Sequence, residues 1–496
     1  MRAPDPVPPP APSDPGLFFR VFPSVMLPMF LAMMDQTIVA TALPAIAVSL
    51  GGVERVSWVV VSYLIATTIA APVYGRLGDL LGRRRLMFAA IVVFTGASVL
   101  CALATTIEFL TFARVLQGLG GGGLMTLSQA LIGEAVPPRE RARYQGYLAA
   151  NAVCASTFGP VAGGFLTDLL GWKSVFLVNV PLGLIAFLLT FRLRASSGSG
   201  AAVRFDPLGL VLFVLFVTPL LLAVEQAQRF EWHALPGVLA LVVIGISSFF
   251  ALVWQENRTA SPLLPIKLLR QPAIWRSDAM AACHGATFVS LLTFVPIYLR
   301  VAKGLSASDT GLLLLPLTAS IGIGAMLTGQ FVSRTGKTAV VPSYGLVVAV
   351  ATLAILAAWL PRLSDAQLIT LLTVNALFMG TVMGVVQVTV QTVAGQSRLG
   401  AAAASVQFSR SVGAAFGTAL VGAVLFGVLA ALDPDAARLF TALVEHGPSV
   451  LASLPDARRT VIQAEITLAF QAVFLTIAVF AAGALALAWS LPVRRI

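Results

Sequence analysis

The chain has 496 residues, of which 58% are hydrophobic and 11% charged, with a mean hydropathy of +0.91. A soluble domain carries about 25% charged residues, so this composition excludes a soluble globular protein and points to repeated passage through lipid. The net charge of +11 does not argue for a nucleic-acid partner, because the basic residues are mostly scattered singly between apolar runs, where they act as orientation signals.

The first sixteen residues, MRAPDPVPPPAPSDPG, contain no apolar signal-peptide core and no cleavage site. They predict a disordered, proline-rich tail over 1–17. A spanning helix needs about 20 mostly apolar residues. Such runs are expected at 18–41, 57–77, 86–105, 109–132, 145–168, 175–193, 207–224, 236–254, 279–299, 310–332, 339–360, 367–393, 405–431 and 466–489, about fourteen in all. The small, polar stretch RASSGSGAAVRFD (194–206) reads as a linker that closes a first six-helix bundle, 18–194. Two additional spans fall in 195–255, a loop in 256–278, and a second six-helix bundle in 279–496. The second bundle includes a long loop, 432–464, with room for a short surface helix. The expected fold class is thus an all-α polytopic membrane protein.

With the N-terminus cytoplasmic, about 22 Lys and Arg fall inside, about 9 outside, and Arg114 within a span. The bias places both termini in the cytoplasm, with GRRR (82–85) and PPRERAR (137–143) on the inner side.

Two stretches imitate nucleotide sites. GLGGGG (118–123) formally matches G-x-G-x-x-G but lies within a membrane run, where glycines serve close helix packing or flexibility. SRTGKT (333–338) ends like a phosphate-binding loop, but Phe331 stands where that loop needs glycine. The three cysteines have neither paired nor metal-like spacing, and no catalytic triad stands out. No metal, cofactor or enzymatic activity is expected. His284 alone among the histidines lies in a span, as a packing residue or as a proton or substrate contact.

GRLGDLLGRRR (75–85) lies between the second and third spans. Gly75, Gly78 and Gly82 permit a tight turn, Asp79 can pair with arginine or meet a helix N-terminus, and Arg83, Arg84 and Arg85 anchor the inner face. A degenerate copy, GQFVSRTGK (329–337), sets Gly329, Ser333, Gly336 and Lys337 against Gly75, Asp79, Gly82 and Arg83, as two related halves would. The ordering of this motif resembles the signature of the major facilitator superfamily.

The resemblance implies a major facilitator fold, two six-helix bundles plus two inserted helices, in which residues 75–85 latch the cytoplasmic side. GPVAGG (159–164) offers a kink at Pro160 and close packing at Gly159 and Gly163, with Gly164 beside them. It resembles the fifth-span pattern of exporters that exchange against an ion, although Ala155 stands where that pattern usually has glycine. MDQTIVATALP (34–44) and WKSVFLVNVPLG (172–183) resemble the fourteen-span drug:proton antiporter branch, with Lys173 where arginine is more usual.

Asp35 is the clearest acid away from a span end. Desolvation would favour its protonated form and a nearby Arg114 its carboxylate, so it could load and release protons, or remain locked in a permanent ion pair. Arg114 should face the bundle interior, unless it snorkels to the interface. Candidate cavity residues are Met34, Tyr63, Gln117, Gln129, Asn151, His284, Gln387, Gln391 and Gln407, whose polar members line a cavity or join helices. The second half lacks a clear mid-span carboxylate, which favours neutral or monocationic over dicationic substrates.

The expected function is proton-coupled export of amphipathic small molecules such as drugs and dyes, across the inner membrane, by alternating access. The alternative is a dedicated exporter of an endogenous metabolite such as a siderophore or antibiotic. The expected partners are the substrate and the bilayer, with a periplasmic adaptor protein as an option and no nucleic acid. The fold can work as a monomer.

Overall fold

A computed structural model describes residues 15–51, 55–193, 206–227, 235–259, 262–264, 266–305, 307–446 and 455–495. The described residues form helices throughout. The first half comprises α1 (Pro15–Leu50), α2 (Trp58–Leu81), α3 (Arg83–Ala102), α4 (Ile107–Ala135), α5 (Pro138–Leu170), α6 (Ser174–Leu177) and α7 (Asn179–Thr190). Then come α8 (Pro207–Ala227), α9 (Leu235–Arg258) and the short α10 (Ile266–Leu269). The second half comprises α11 (Pro272–Val301), α12 (Ala307–Thr335), α13 (Val340–Trp359), α14 (Asp365–Ala394), α15 (Leu399–Leu432), α16 (Pro434–His446) and α17 (Asp456–Trp489).

Among the described residues, twelve helices are long and apolar enough to cross a membrane. Two of the expected spans are not among them. The fourth falls on α4, where six glycines and two glutamines dilute the apolar residues. The sixth falls on α6 and α7, which together make only the short apolar stretch Ser174–Thr190 and break at Val178.

Several helices start before their apolar runs. α1 begins at Pro15, so residues 15–17, expected in the tail, are helical, while residues 1–14 lie outside the described set. α11 begins at Pro272, inside the expected loop 256–278, because Pro272 occupies the first helical turn, where its missing N–H costs nothing. α17 begins at Asp456, inside the expected loop 432–464. The same loop holds α16, whose Ala436, Phe440 and Leu443 form one buried stripe against the second-half core. Most of the linker 194–206 lies outside the described residues. Its last member, Asp206, accepts the Gly209 N–H at 2.8 Å and so caps α8.

The two halves meet along two glycine-bearing helix pairs. A Cβ at Gly75 of α2 would lie 2.5 Å from the Gly400 carbonyl oxygen of α15, and one at Gly146 of α5 would lie 2.8 Å from that of Ala325 in α12. Gly82, between α2 and α3, and Gly336, after α12, both have positive φ, 97° and 69°. An L side chain is strained there, so both copies of the sequence repeat place glycine where the backbone needs it. The α8–α9 hairpin lies beside this interface, with Phe213 against Phe408 of α15 at 5.3 Å and Ile69 and Val73 of α2 in the same cluster.

Candidate functional site

Asp35 is fully buried in α1, and Arg114 of α4 is 1% exposed. Their side chains form a salt bridge. The other Asp35 oxygen, Oδ1, accepts Gln117 Nε2 at 2.9 Å and Asn179 Nδ2 at 2.8 Å. Arg114 donates further to Gln117 Oε1 (2.6 Å) and to the Val59 carbonyl (3.0 Å), and its guanidinium lies 4.1 Å from the Tyr63 ring centroid. Ser98 Oγ accepts Gln117 Nε2 at 2.7 Å and donates to the Phe94 carbonyl at 2.8 Å. An ionised carboxylate only accepts, and every contact to Asp35 is a donor. A buried pair is tolerated when its remaining polar atoms are also bonded, and this network comes close to that: Asn179 Oδ1 is its unpartnered member.

The helix bearing Asp35 is gripped from one side. A Cβ at Gly159 of α5 would overlap Thr37 Oγ1, and one at Gly163 would overlap Thr41 Oγ1 and the Ile38 carbonyl. A Cβ at Gly164 would meet nothing within 4 Å. Pro160 sits inside α5 between the two contacts. Ala155 is buried, and its carbonyl faces Thr37 Oγ1 at 3.5 Å.

A second site occupies the face of the bundle that carries Gly82–Arg85, the arginine-rich face. Asp79 accepts the backbone N–H groups of Gly400 (2.9 Å) and Ala401 (3.1 Å) at the first turn of α15. A carboxylate there is favoured by the free N–H groups and by the helix dipole. Arg83 bridges Asp79 (2.6 Å), Glu134 (2.7 Å) and the Gln396 carbonyl (3.1 Å). Arg84 donates to the Phe191 carbonyl at 3.1 Å, and Arg85 is exposed. In the second copy Ser333 bonds only its own helix, at the Gln330 carbonyl, so the cross-half cap exists once among the described residues.

The proposed cavity residues divide. Gln117 and Tyr63 belong to the Asp35 network, and Tyr63 Oη donates to the Ala32 carbonyl at 3.0 Å. Gln391 Nε2 donates across the halves to the Gln129 carbonyl at 2.9 Å, beside Gly133. Asn151 Nδ2 ties α5 to the Met26 carbonyl of α1 at 3.1 Å. Met34 packs in the first-half core with Ile38 and Phe176. Gln407 Nε2 reaches Met125 Sδ of α4 at 3.7 Å. Gln387 and His284 are buried, and each keeps one unpartnered polar atom, Nε2 and Nδ1.

The glycines of 118–123 serve packing: a Cβ at Gly118 would lie 2.6 Å from the Tyr63 carbonyl oxygen, and one at Gly120 2.6 Å from the Phe94 nitrogen. Sequence reasoning missed four participants. Asn179 and Ser98 complete the Asp35 shell, and Asn179 already stood in the quoted stretch 172–183. Asp278, at the end of the expected loop 256–278, is 8% exposed within α11 and accepts Ser405 Oγ at 3.3 Å. Arg410 lies about three turns inside α15.

The family profile described as Major Facilitator Superfamily matches residues 25–418. The chain is 35% identical over 415 residues to an uncharacterized MFS-type transporter of Mycobacterium tuberculosis, covering 82% of this chain and 60% of that one. It therefore spans less than two thirds of that relative's length. It is 32% identical over 404 residues to the multidrug transporter protein MdtP of Bacillus subtilis, covering 81% of this chain and 74% of MdtP. The crystal structure of the human organic anion transporter MFSD10 superposes with a TM-score of 0.64 at 14% identity, over 96% of this chain and 100% of that one, a likeness of fold. Family match and fold together identify the chain as a member of the Major Facilitator Superfamily.

Proposed function

We propose that the chain is a proton-coupled antiporter that exports amphipathic small molecules across the cytoplasmic membrane by alternating access. The observation that carries this reading is the buried Asp35–Arg114 pair with its amide shell. A carboxylate enclosed by three donors cannot gain a proton without losing its hold on Arg114. Removing one charge of a buried pair costs about 3–5 kcal/mol, so protonation of Asp35 favours another arrangement of α1 and α4. The glycine contacts of α5 on Thr37 and Thr41 convey that change to α5, which packs against α12 of the other half. The Asp79 cap, with Arg83 and the Gln391–Gln129 bond, closes the arginine-rich face in the conformation described, and the distribution of Lys and Arg assigns that face to the cytoplasm.

In this reading α4 and the α6–α7 pair also cross the membrane, which brings the spans to fourteen, and both termini are cytoplasmic. Relatives named as multidrug transporters support the cargo class. The transporter works as a monomer on substrate drawn from the bilayer.

The test is dye efflux in inverted membrane vesicles, with and without a proton gradient. Accumulation of cationic and neutral dyes should stop when the gradient is collapsed. Transport that continues unchanged would remove proton coupling.

A further inference from the structure

Two arginines lie well inside helices, and their surroundings differ. Arg114 has a carboxylate, an amide oxygen, a carbonyl and an aromatic face. Arg410 has no hydrogen bond or ion pair among the described residues, and no acid acts on it. The difference matters because an arginine in the membrane interior costs about 2.5–3.5 kcal/mol even on insertion scales.

The packing of α15 sets where Arg410 points. A Cβ at Gly285 of α11 would overlap the Arg410 carbonyl, and one at Gly413 would overlap that of Ala282. One turn before Arg410, on the neighbouring stripe of α15, Gln407 reaches across to Met125 of the first half. Arg410 therefore lies on α15 between the stripe packed against α11 and the stripe that faces the first half, and it is only partly buried there.

Near it lies an imidazole. His284, next to Gly285, is 5% exposed and lies within electrostatic reach of Arg410. Its imidazole donates to the Met379 carbonyl, and Nδ1 has no partner. The Phe288 ring centroid lies 6.0 Å from it. The nearby acid of α11, Asp278, is engaged with Ser405 on the side of α15 away from Gln407. A guanidinium with free donors, an imidazole and an aromatic ring near it, and no facing carboxylate make a poor site for a cation. They suit one oxyanion joined to an apolar body. A guanidinium presents a planar fork of N–H donors that matches a carboxylate bidentately.

We infer that Arg410 forms an anion-binding subsite, and that the preferred cargo is an amphipathic monoanion, a carboxylate or sulfonate on an apolar body. This rests on the export reading and narrows its substrate class, replacing the neutral or monocationic preference suggested by composition. It places the substrate's charged end in the second half, away from Asp35.

The test uses the purified full chain in nanodiscs and a matched probe set: 1-pyrenebutyrate, its methyl ester and 1-pyrenemethylammonium. Pyrenebutyrate should bind at least about tenfold more tightly than the ester, the scale of a charge-assisted hydrogen bond. Arg410→Gln should bring pyrenebutyrate down to the affinity of the ester, and Arg410→Lys should keep part of the preference. Equal binding of acid and ester by the wild type overturns the subsite without any variant having to fold. So does a preference that survives Arg410→Gln. Gradient-driven ethidium transport in vesicles separates the two readings. Ethidium transport without an acid preference leaves the exporter and removes the subsite. An Arg410-dependent acid preference without transport of any probe leaves the subsite and removes the exporter.

Discussion

Asp79 and Gly400 meet across the two halves of the protein: the carboxylate on α2 accepts the backbone N–H at the start of α15 at 2.9 Å. The contact is possible because Gly75, one turn earlier, and Gly400 itself lack side chains. Asp79→Asn removes the charge that both the α15 N-terminus and Arg83 bond. A charge-assisted hydrogen bond contributes about 1.5–3 kcal/mol, enough to shift a two-state equilibrium by tenfold or more. Spin labels at Leu81 and Arg398, both exposed, should report a longer mean distance in Asp79→Asn, with efflux reduced. An unchanged distance distribution would show that the cap does not hold this face closed.

The grip of α5 on α1 separates glycines that look alike in sequence. Gly159→Ala pushes a methyl group into Thr37 Oγ1. Overpacking of this kind costs about 1–3 kcal/mol and displaces α1 within one turn of Asp35. Gly164→Ala enters open space, so its effect should stay within about 0.5 kcal/mol. Melting in detergent and gradient-driven dye transport should both fall for Gly159→Ala and stay near wild type for Gly164→Ala. Equal effects would mean that the shared motif acts through something other than contact with α1.

The residues most legible in the sequence were those that break a local rule. A lone acid in an apolar run identified Asp35, an arginine in a span identified Arg114, and a glycine-acid-arginine order identified the contact at Asp79. The less legible ones depended on helix length. Hydropathy marks where a helix is greasy, not where it starts. α15 begins at Leu399 because the alanine-rich stretch 401–404 favours helix strongly, which carries Arg410 deeper than its apolar run suggested. α11 begins at Pro272, which places Asp278 inside the packed bundle rather than at its edge. The position of Asn179 depends on the break at Val178, which no apolar periodicity reveals.

Outside the spans, Asp433 ties the end of α15 to the start of α17 by a salt bridge to Arg458 and also accepts the Asp435 N–H at 2.9 Å. The Arg458 hydrogen bond, with that N–H, holds its carboxyl below the ordinary carboxylate range. A lowered acid stabilises the fold above its unfolded value, about 3.9, and loses that contribution as the pH falls through the folded value. Helix α16, which follows Asp433 directly, should stay protected from hydrogen exchange at pH 6 and loosen below about pH 4. Asp433→Asn should loosen it already at pH 6. Equal protection of 436–443 in wild type and variant at pH 6 would show that the tether is not what orders α16.

The Asp35 shell yields the sharpest expectation, because its members differ in what they supply. Asp35→Asn keeps the shape and removes the titrating group, so the protein should fold and lose proton-driven efflux. Asn179→Ala leaves the ion pair intact and removes one of three donors to the carboxylate. Without that donor the hold on the carboxylate weakens, and the pH dependence of transport should change. Ser98→Ala acts one step further out, through Gln117, and should shift the profile less. Arg114→Ala leaves a buried carboxylate with two amide donors and should cost about 3–5 kcal/mol of stability. Transport measured against pH in proteoliposomes separates these cases. An unshifted profile for Asn179→Ala, with Asp35→Asn fully active, would move the proton site out of this network.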